Sequence, residues 1–187
     1  MSVKGAMGIE AFDIGLCNMA LNHVAEQIGL TFDRDGAMAK EGQVHEDLLN
    51  ELNALDFFHQ SAPKSLGKEF WLTEFLPIAE RAQLNERDLL RTLVEHIAVQ
   101  IGRSLTSYAS CHALATGGGA HNSFLMERIQ AHTHHTLIVP EKGIVDFKEA
   151  LIFAFLGALR LSGKSNSLST VTGALRDSVG GAVYSAR

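Results

Sequence analysis

The stretch at residues 112–140, HALATGGGAHNSFLMERIQAHTHHTLIVP, decides the fold. A short apolar run at 112–116 leads into three glycines, and residues 122–131 then place apolar side chains at helical spacing. A second apolar run, 136–139, ends at a proline. The order strand, helix, strand predicts two parallel strands joined by a crossover helix. We therefore predict an α/β fold that is rich in helix and has a short, mostly parallel sheet.

Helices are predicted on both sides of this unit. Apolar residues repeat along residues 86–107 so as to form one broad stripe, which is typical of a helix packed against a core. Residues 146–161 are apolar on nearly every side, so we expect that helix to be buried. Other predicted elements are a strand that ends near Asp13, a helix over 18–28 with Asn18 as its N-cap, a helix over 43–53 and an ordered loop over 57–70.

The composition excludes several classes of protein. The 187 residues are 46% hydrophobic and 20% charged, with a formal net charge of −5 and only 3 prolines. This balance argues against a disordered chain and against a nucleic-acid-binding surface. Two cysteines, Cys17 and Cys111, are too few for a disulfide scaffold, and the most apolar stretch, 150–159, is too short to span a bilayer. We expect a soluble, cytoplasmic protein with neither a membrane nor a nucleic-acid partner.

The glycine run is the first candidate for chemistry. Gly117, Gly118 and Gly119 stand where the first strand of the unit leads into its helix. Glycine there lets backbone N–H groups approach a phosphate, and the helix N-terminus that follows carries partial positive charge. A tight turn between a strand and a helix requires the same residue type. Since the run matches neither common phosphate-loop pattern, both interpretations stay open.

Two carboxylates, Asp13 and Glu149, are the next candidates. Asp13 follows a predicted strand, a position from which a carboxylate can accept a proton from water or a hydroxyl group. The residue types alone favour the alternative, a turn or cap before the next helix. Glu149 interrupts the apolar helix, so it lies either in the first turn of that helix or against a pocket.

The remaining polar motifs favour structural roles. The three histidines within residues 132–135 have no cysteine or carboxylate at ligand spacing, so we predict solvated histidines and no metal site. Both cysteines are predicted to be small buried side chains. Lys64 and Lys68, which flank Ser65, are predicted to be solvated, with contact to an anion as the alternative.

Six segments, taken in order, resemble the motifs of a known family. They are FDIGLCNM at 12–19, FDRDG at 32–36, PKSLGKEF at 63–70, GGGAHN at 117–122, DFKEA at 146–150 and VTGA at 171–174. Together they resemble the C-terminal half of the anhydro-N-acetylmuramic acid kinases, bacterial cell-wall recycling enzymes of the actin-like sugar-kinase superfamily. The resemblance extends over nearly the whole chain.

The resemblance implies a fold and a reaction. The family fold has two ribonuclease-H-like lobes, as in other actin-like ATPases, with ATP bound in the cleft between them. The family uses ATP and Mg²⁺ to phosphorylate O6 of 1,6-anhydro-N-acetylmuramic acid while water opens the anhydro ring, which gives N-acetylmuramic acid 6-phosphate. This chemistry depends on positioning and electrostatics more than on covalent catalysis.

The resemblance also assigns roles to residues. Asp13 corresponds to the catalytic aspartate of the family, which activates the water. Glu149 and Asn18 are expected to contact the sugar substrate. The glycines at 117–119 and Asn122 are expected to face the nucleotide.

The chain departs from the family pattern in two ways. The usual Asp-Thr-Gly-Pro-Gly-Asn is Asp-Ile-Gly-Leu-Cys-Asn here, and Leu66 and Lys68 replace a threonine and an arginine. The Gly-Thr-Ser-x-Asp-Gly phosphate loop of the family's N-terminal lobe does not occur in the sequence. We therefore expect residues 1–187 to be a single C-terminal lobe whose missing partner is the N-terminal lobe.

Such a lobe is expected to have little activity by itself and to form a homodimer through the apolar surface that it exposes. Two alternatives stay open. One is a non-catalytic actin-like lobe that acts as an interaction or regulatory module, and the other is a related kinase for another sugar.

Overall fold

The computed structural model describes residues 1–5, 8–109 and 112–184. In these ranges helices dominate, and four short strands form two separate pairs. The strands are β1 (Ser2–Gly5), β2 (Gly8–Ala11), β3 (His112–Leu114) and β4 (Thr136–Ile138). The helices are α1 (Asn18–Gln27), α2 (Ala37–Glu41), α3 (Glu46–Asn53), α4 (Asp56–His59), α5 (Lys68–Phe70), α6 (Leu76–Arg81), α7 (Glu86–Leu105), α8 (Ser123–Ala131), α9 (Lys142–Leu161) and α10 (Ser169–Thr172).

Helix α7 forms the centre of the hydrophobic core. Its N-terminus is capped by Asn85, whose side chain accepts a hydrogen bond from the Asp88 N–H at 3.1 Å. Helices α1, α2, α3 and α8 pack around it, so most of its length is buried. The helix predicted over 86–107 is confirmed, and it ends at Leu105.

The predicted strand–helix–strand unit is also confirmed. Strands β3 and β4 are parallel, with His112 opposite Thr136. Helix α8 connects them and begins after Asn122, whose side chain accepts a hydrogen bond from the Leu125 N–H at 2.9 Å. The helix packs against α7 through its buried residues Phe124, Leu125 and Ile129. The fold is therefore α/β and helix-rich, with a small parallel sheet.

The strand before Asp13 belongs to a hairpin that the sequence did not indicate. Strands β1 and β2 are antiparallel, with Ser2 opposite Ala11, and β2 ends two residues before Asp13. Helix α10 contacts β2 so closely that a Cβ atom on Gly8 would lie 3.4 Å from the Thr170 side chain. The C-terminal segment thus folds back onto the N-terminal hairpin.

The predicted burial of the second long helix is wrong. Helix α9 begins at Lys142, and Val145 is its only buried side chain in the described structure. Phe147, Leu151 and Phe155 are exposed, because α9 lies on the surface and contacts the rest of the chain along one side. Hydrophobic composition does not by itself bury a side chain, since burial needs a second surface to pack against. No helix within the described ranges is long and apolar enough to cross a membrane.

Three smaller predictions need correction. Asn18 is the first residue of α1 and not its N-cap, which is Cys17. The helix predicted over 43–53 begins at Glu46, because the His45 ring caps it and accepts a hydrogen bond from a backbone N–H. The segment predicted as a loop over 57–70 contains most of α4 and all of α5, so only its middle part lacks helix.

Candidate functional site

A cavity of about 430 Å³ lies among α1, α7, the turn at 34–36 and the glycine turn at 117–121. This volume is in the range typical of small-molecule sites. Three of the six motif segments contribute to its wall, although they are far apart in the sequence. The lining side chains are Asn18, Leu21, Asn22, Phe32, Asp33, Arg34, Asp35, Leu90, Val94, His121, Asn122 and Lys142, together with Gly118.

The glycine turn is packed tightly against Asn18. A Cβ atom on Gly118 would lie 2.8 Å from Asn18 Nδ2, and one on Gly119 would lie 3.2 Å from Asn18 Oδ1. Gly36, at φ +69°, packs in the same way, since its Cβ atom would lie 2.4 Å from Asn122 Oδ1. These contacts leave little room for a side chain at Gly118 or Gly36, and they bring Asn18 and Asn122 to the wall of one cavity.

Positive charge and an aromatic ring lie at the same cavity. The Lys142 ammonium donates to Asp146 Oδ2 at 2.6 Å, and His121 Nε2 lies 2.8 Å from Oδ1. These two contacts hold the pKa of Asp146 below its usual range. The Arg34 guanidinium lies 5.8 Å from the centre of the Phe32 ring. The cavity thus combines the cations Arg34 and Lys142, amide groups and an aromatic face with the carboxylates of Asp33 and Asp35, so its wall carries both signs of charge.

Asp13 lies outside this cavity and lines a smaller one of about 180 Å³. Its side chain is exposed and its carboxylate is held by one loop. Oδ2 accepts hydrogen bonds from Ser65 Oγ at 3.2 Å and from the Leu66 N–H at 2.9 Å. The Asp13 N–H in turn donates to the Lys64 carbonyl oxygen at 3.0 Å. The predicted alternative, that Asp13 caps the following helix, is wrong.

Cys17 lies between the two cavities. It lines the smaller one, and its Sγ atom would lie 3.2 Å from a Cβ atom on Gly119. Burial raises the pKa of the Cys17 thiol to about 11, so the thiol is neutral and acts as a packing group. The second cysteine, Cys111, lies outside the described residues.

Glu149 does not lie in the first turn of its helix, one of the two places that the sequence left open. It lies seven residues after the start of α9, beyond the first turn, and its side chain is exposed. Since Glu149 points into solvent, its charge requires no protein partner.

His132 has a structural role, whereas His134 is exposed as predicted. His132 Nε2 lies 2.6 Å from Glu95 Oε1, and Arg128 contacts both Glu95 oxygens at 2.9 Å. Burial opposes the charge of Glu95, but hydrogen bonds from Arg128, His132 and Arg91 outweigh that effect and lower its pKa to about 2. The prediction that His132 is solvated is therefore wrong.

His135 and Lys64 also differ from their predicted solvation. His135 is buried, with Nε2 2.9 Å from the Leu105 carbonyl oxygen. Lys64 is half-buried, and its ammonium donates to the Phe57 carbonyl oxygen at 2.9 Å. Among the residues with described positions, no group of three or more His, Cys, Asp or Glu side chains is placed to hold a metal ion.

Comparison with known sequences assigns the family. The sequence profile of the anhydro-N-acetylmuramic acid kinases matches residues 3–186, which is nearly the whole chain. The chain belongs to the anhydro-N-acetylmuramic acid kinase family. It is 34% identical over 187 residues to the anhydro-N-acetylmuramic acid kinase of Hahella chejuensis, an alignment that covers 97% of this chain and 51% of that relative.

Two further members of the family give the same picture. Identity is 34% to the anhydro-N-acetylmuramic acid kinase of Aliivibrio fischeri, over 94% of this chain and 50% of the relative. It is 36% to the enzyme of the same name from a Sulfurovum species, over 92% of this chain and 49% of the relative. The chain therefore spans about half the length of the curated relatives it matches.

Two of the departures from the family motif after Asp13, Leu16 and Cys17, are packing residues. Leu16 is buried in the hydrophobic core, and Cys17 fills the space beside Gly119. Gly15, which the chain keeps, lies under Phe58, and a Cβ atom there would lie 2.9 Å from that ring. The segment after Asp13 is thus packed through Gly15, Leu16 and Cys17.

Sequence reasoning missed several residues of these sites. Phe32, Arg34, His121 and Lys142 line the larger cavity, but none of them was singled out as a site residue. Only motif membership pointed to these residues, since Phe32 and Arg34 lie in the FDRDG motif and His121 lies in the GGGAHN motif. The hydrogen bonds between the 64–66 loop and Asp13 connect residues about 50 positions apart, which no local pattern indicates.

Proposed function

We propose that this chain is the C-terminal lobe of an ATP-dependent kinase that acts on 1,6-anhydro-N-acetylmuramic acid. The product would be N-acetylmuramic acid 6-phosphate, formed with hydrolytic opening of the anhydro ring. The observation that carries the proposal is the meeting of three family motif segments at one cavity, in a chain that belongs to this family. The proposal includes an actin-like, ribonuclease-H-like fold for the complete enzyme.

The larger cavity is proposed to bind ATP. The fit rests on Gly118, where a Cβ atom would lie 2.8 Å from the Asn18 side chain, on Arg34 beside the Phe32 ring, and on Lys142 in the same wall. A purine ring can stack on an aromatic face, and phosphates favour cations and backbone N–H groups. We propose that Mg²⁺ binds together with ATP and is coordinated by its phosphate oxygens, since this ion takes many of its ligands from phosphates and water.

Asp13 is proposed to act as the general base. Its carboxylate would accept a proton from the water that bonds to C1 of the sugar, while the C1–O6 bond breaks and O6 bonds to the γ-phosphorus of ATP. ADP is the leaving group. The support is its position at the end of a strand, with the carboxylate exposed and held by a neighbouring loop.

Asn18 and Glu149 are proposed to contact the sugar. Glu149 is exposed on α9, where its carboxylate is available to accept hydrogen bonds from sugar hydroxyl groups. Asn18 lies at the glycine turn, between the proposed nucleotide cavity and the Asp13 segment. An amide there can donate and accept hydrogen bonds with a hydroxyl group of the sugar or with the nucleotide.

The exposed apolar face of α9 is proposed to pack against the N-terminal lobe of the complete enzyme. The face contains Phe147, Leu151 and Phe155, and the chain spans about half the length of its relatives. Exposed apolar surface of this extent usually marks an interaction site. In the isolated chain the same face would instead support a homodimer.

The test is an assay of phosphoryl transfer from ATP to 1,6-anhydro-N-acetylmuramic acid. The chain would be assayed alone and together with a polypeptide that comprises the part of the Hahella chejuensis relative which this chain does not match. We expect little turnover by the chain alone and formation of the 6-phosphate when the second polypeptide is present. Rapid turnover by the chain alone would contradict the two-lobe proposal, and absence of turnover in both mixtures would contradict the kinase proposal.

Two variants test the assigned residues in the active mixture. Asp13→Asn should lower kcat about 100-fold or more, the size expected from loss of a general base. Glu149→Gln should raise the sugar KM with a smaller effect on kcat. A wild-type rate for Asp13→Asn would remove it as the base, and an unchanged KM for Glu149→Gln would remove it as a sugar contact.

A further inference from the structure

The loop at residues 63–67 makes every described hydrogen bond to the Asp13 side chain. Ser65 Oγ donates at 3.2 Å and the Leu66 N–H donates at 2.9 Å, and both bonds go to the same oxygen, Oδ2. A third bond, from the Asp13 N–H to the Lys64 carbonyl oxygen at 3.0 Å, joins the two main chains. The carboxylate is therefore oriented by one short segment that lies about 50 residues away in the sequence.

The loop has its own anchors in the core. The Lys64 ammonium donates to the Phe57 carbonyl oxygen at 2.9 Å and lies 4.5 Å from the centre of the Phe57 ring. Partial burial lowers the pKa of Lys64. The Leu66 side chain packs against the hydrophobic core. Anchors on both sides of Ser65 limit the freedom of the donors that reach Asp13.

The two oxygens of Asp13 consequently differ. Oδ2 has two donors, whereas Oδ1 receives no hydrogen bond from any residue within 1–5, 8–109 or 112–184. Hydrogen bonds to a carboxylate oxygen fix its direction and stabilise its charge. A proton can therefore be accepted most easily at Oδ1, because protonation there leaves both bonds to Oδ2 intact.

We propose that the 63–67 loop is a positioning element that clamps Oδ2 of Asp13 and presents Oδ1 as the proton-accepting oxygen, with Ser65 as its side-chain donor. This proposal rests on the proposed role of Asp13 as the base. Because the second donor is the main chain of Leu66, the side chain at position 66 can vary without loss of the clamp. Ser65 supplies its bond through the hydroxyl group, so its side chain cannot vary in this way.

The first experiment measures hydrogen–deuterium exchange of the Leu66 amide in the chain itself. Asp13→Ala removes the acceptor and should speed exchange about tenfold, whereas Asp13→Asn keeps an acceptor oxygen and should retain most of the protection. The Leu48 amide, which donates to the His45 ring, should exchange at the same rate in all variants and reports an intact fold. Equal Leu66 exchange in wild type and Asp13→Ala would overturn the clamp.

The second experiment measures kinetics in the two-polypeptide mixture. Ser65→Ala should lower kcat about tenfold, the size of one hydrogen bond to a charged group, with little change in the sugar KM. Ser65→Thr, which keeps the hydroxyl group, should restore most of the rate. Ser61→Ala, an exposed serine of the same loop region, serves as the matched control and should be neutral.

The outcomes separate this proposal from the kinase proposal. A wild-type kcat in Ser65→Ala, or failure of Ser65→Thr to restore the rate, would overturn the positioning role. If the wild-type mixture shows no turnover, the proposed function fails, while Leu66 exchange still decides whether the clamp exists.

Discussion

Helices α7 and α9 each contain 20 residues, yet they occupy opposite environments. Helix α7 carries charged residues along its length and is buried by four neighbouring helices. Helix α9 is more apolar, but Val145 is its only buried side chain in the described structure. The more apolar helix is thus the more exposed one.

The difference shows what a hydrophobic pattern determines. A pattern selects the face on which a helix can pack, but the rest of the chain must supply the surface that covers it. Around α7 this surface comes from α1, α2, α3 and α8, and the buried charges of the helix are paired, as in the contacts of Glu95 with Arg128 and His132. Helix α9 has such a surface along one side alone, which is why we propose that a second lobe covers the other side.

The largest expected difference between the helices comes from truncating one leucine in each. Leu93 of α7 is 1% exposed and Leu151 of α9 is 64% exposed. Leu93→Ala should lower the free energy of unfolding by about 2–5 kcal/mol, because it removes buried methyl groups and leaves a cavity. Leu151→Ala should change it by less than about 0.5 kcal/mol. Chemical denaturation of both variants measures the two effects, and equal losses would show that α9 is packed as tightly as α7.

A smaller effect concerns acid stability. Burial, with a contribution from the charge of Arg103, lowers the pKa of His96 to about 3, so the folded state binds fewer protons than the unfolded state below pH 6.5. Stability from this group is complete above pH 6.5 and decreases as the pH falls toward 3, by about 1.4 kcal/mol per pH unit. Glu95 acts in the same direction between about pH 4.5 and 2, because its folded pKa is lowered.

The acid effect is tested by the slope of unfolding free energy against pH. Between pH 6.5 and 4.5, His96→Gln should lower this slope by about 1.4 kcal/mol per pH unit relative to wild type. That change corresponds to one proton fewer taken up on unfolding. Leu151→Ala, which removes no titratable group and changes an exposed side chain of α9, is the control and should leave the slope unchanged. If the slopes of wild type and His96→Gln coincide, His96 is not held neutral by the core around α7.

A change on the exposed face of α9 should affect stability least. It should instead alter self-association of the chain. Phe147 and Phe155 are 69% and 61% exposed, and a joint Phe147→Ser, Phe155→Ser variant should unfold at nearly the wild-type denaturant concentration. The same variant should shift the chain from dimer toward monomer in sedimentation equilibrium, because apolar area drives the association. A monomeric wild-type chain would contradict the proposed homodimer, and a dimer that persists in the variant would place the interface elsewhere.

Much of the fold was predictable because its signals are local. The periodicity of α7 and the strand–helix–strand order around Gly117 each lie within one short segment. The exposure of α9, the antiparallel hairpin and the burial of His135 depend on partners far along the chain. Motif order located Asp13 and the glycine turn, but the lining residues Phe32 and Arg34 could only be found once the folded chain brought them to the same cavity.

The proposed nucleotide site is the cavity beside Gly118. It is tested most directly by titrating the isotopically labelled chain with ATP and following its backbone amide resonances. We expect shifts at Asn22, Gly118 and Asn122, and at least about fivefold weaker binding for Arg34→Ala, while Lys164→Ala, an exposed lysine beyond the end of α9, binds as wild type does. Absence of shifts at millimolar ATP, or shifts confined to residues away from this cavity, would contradict the account.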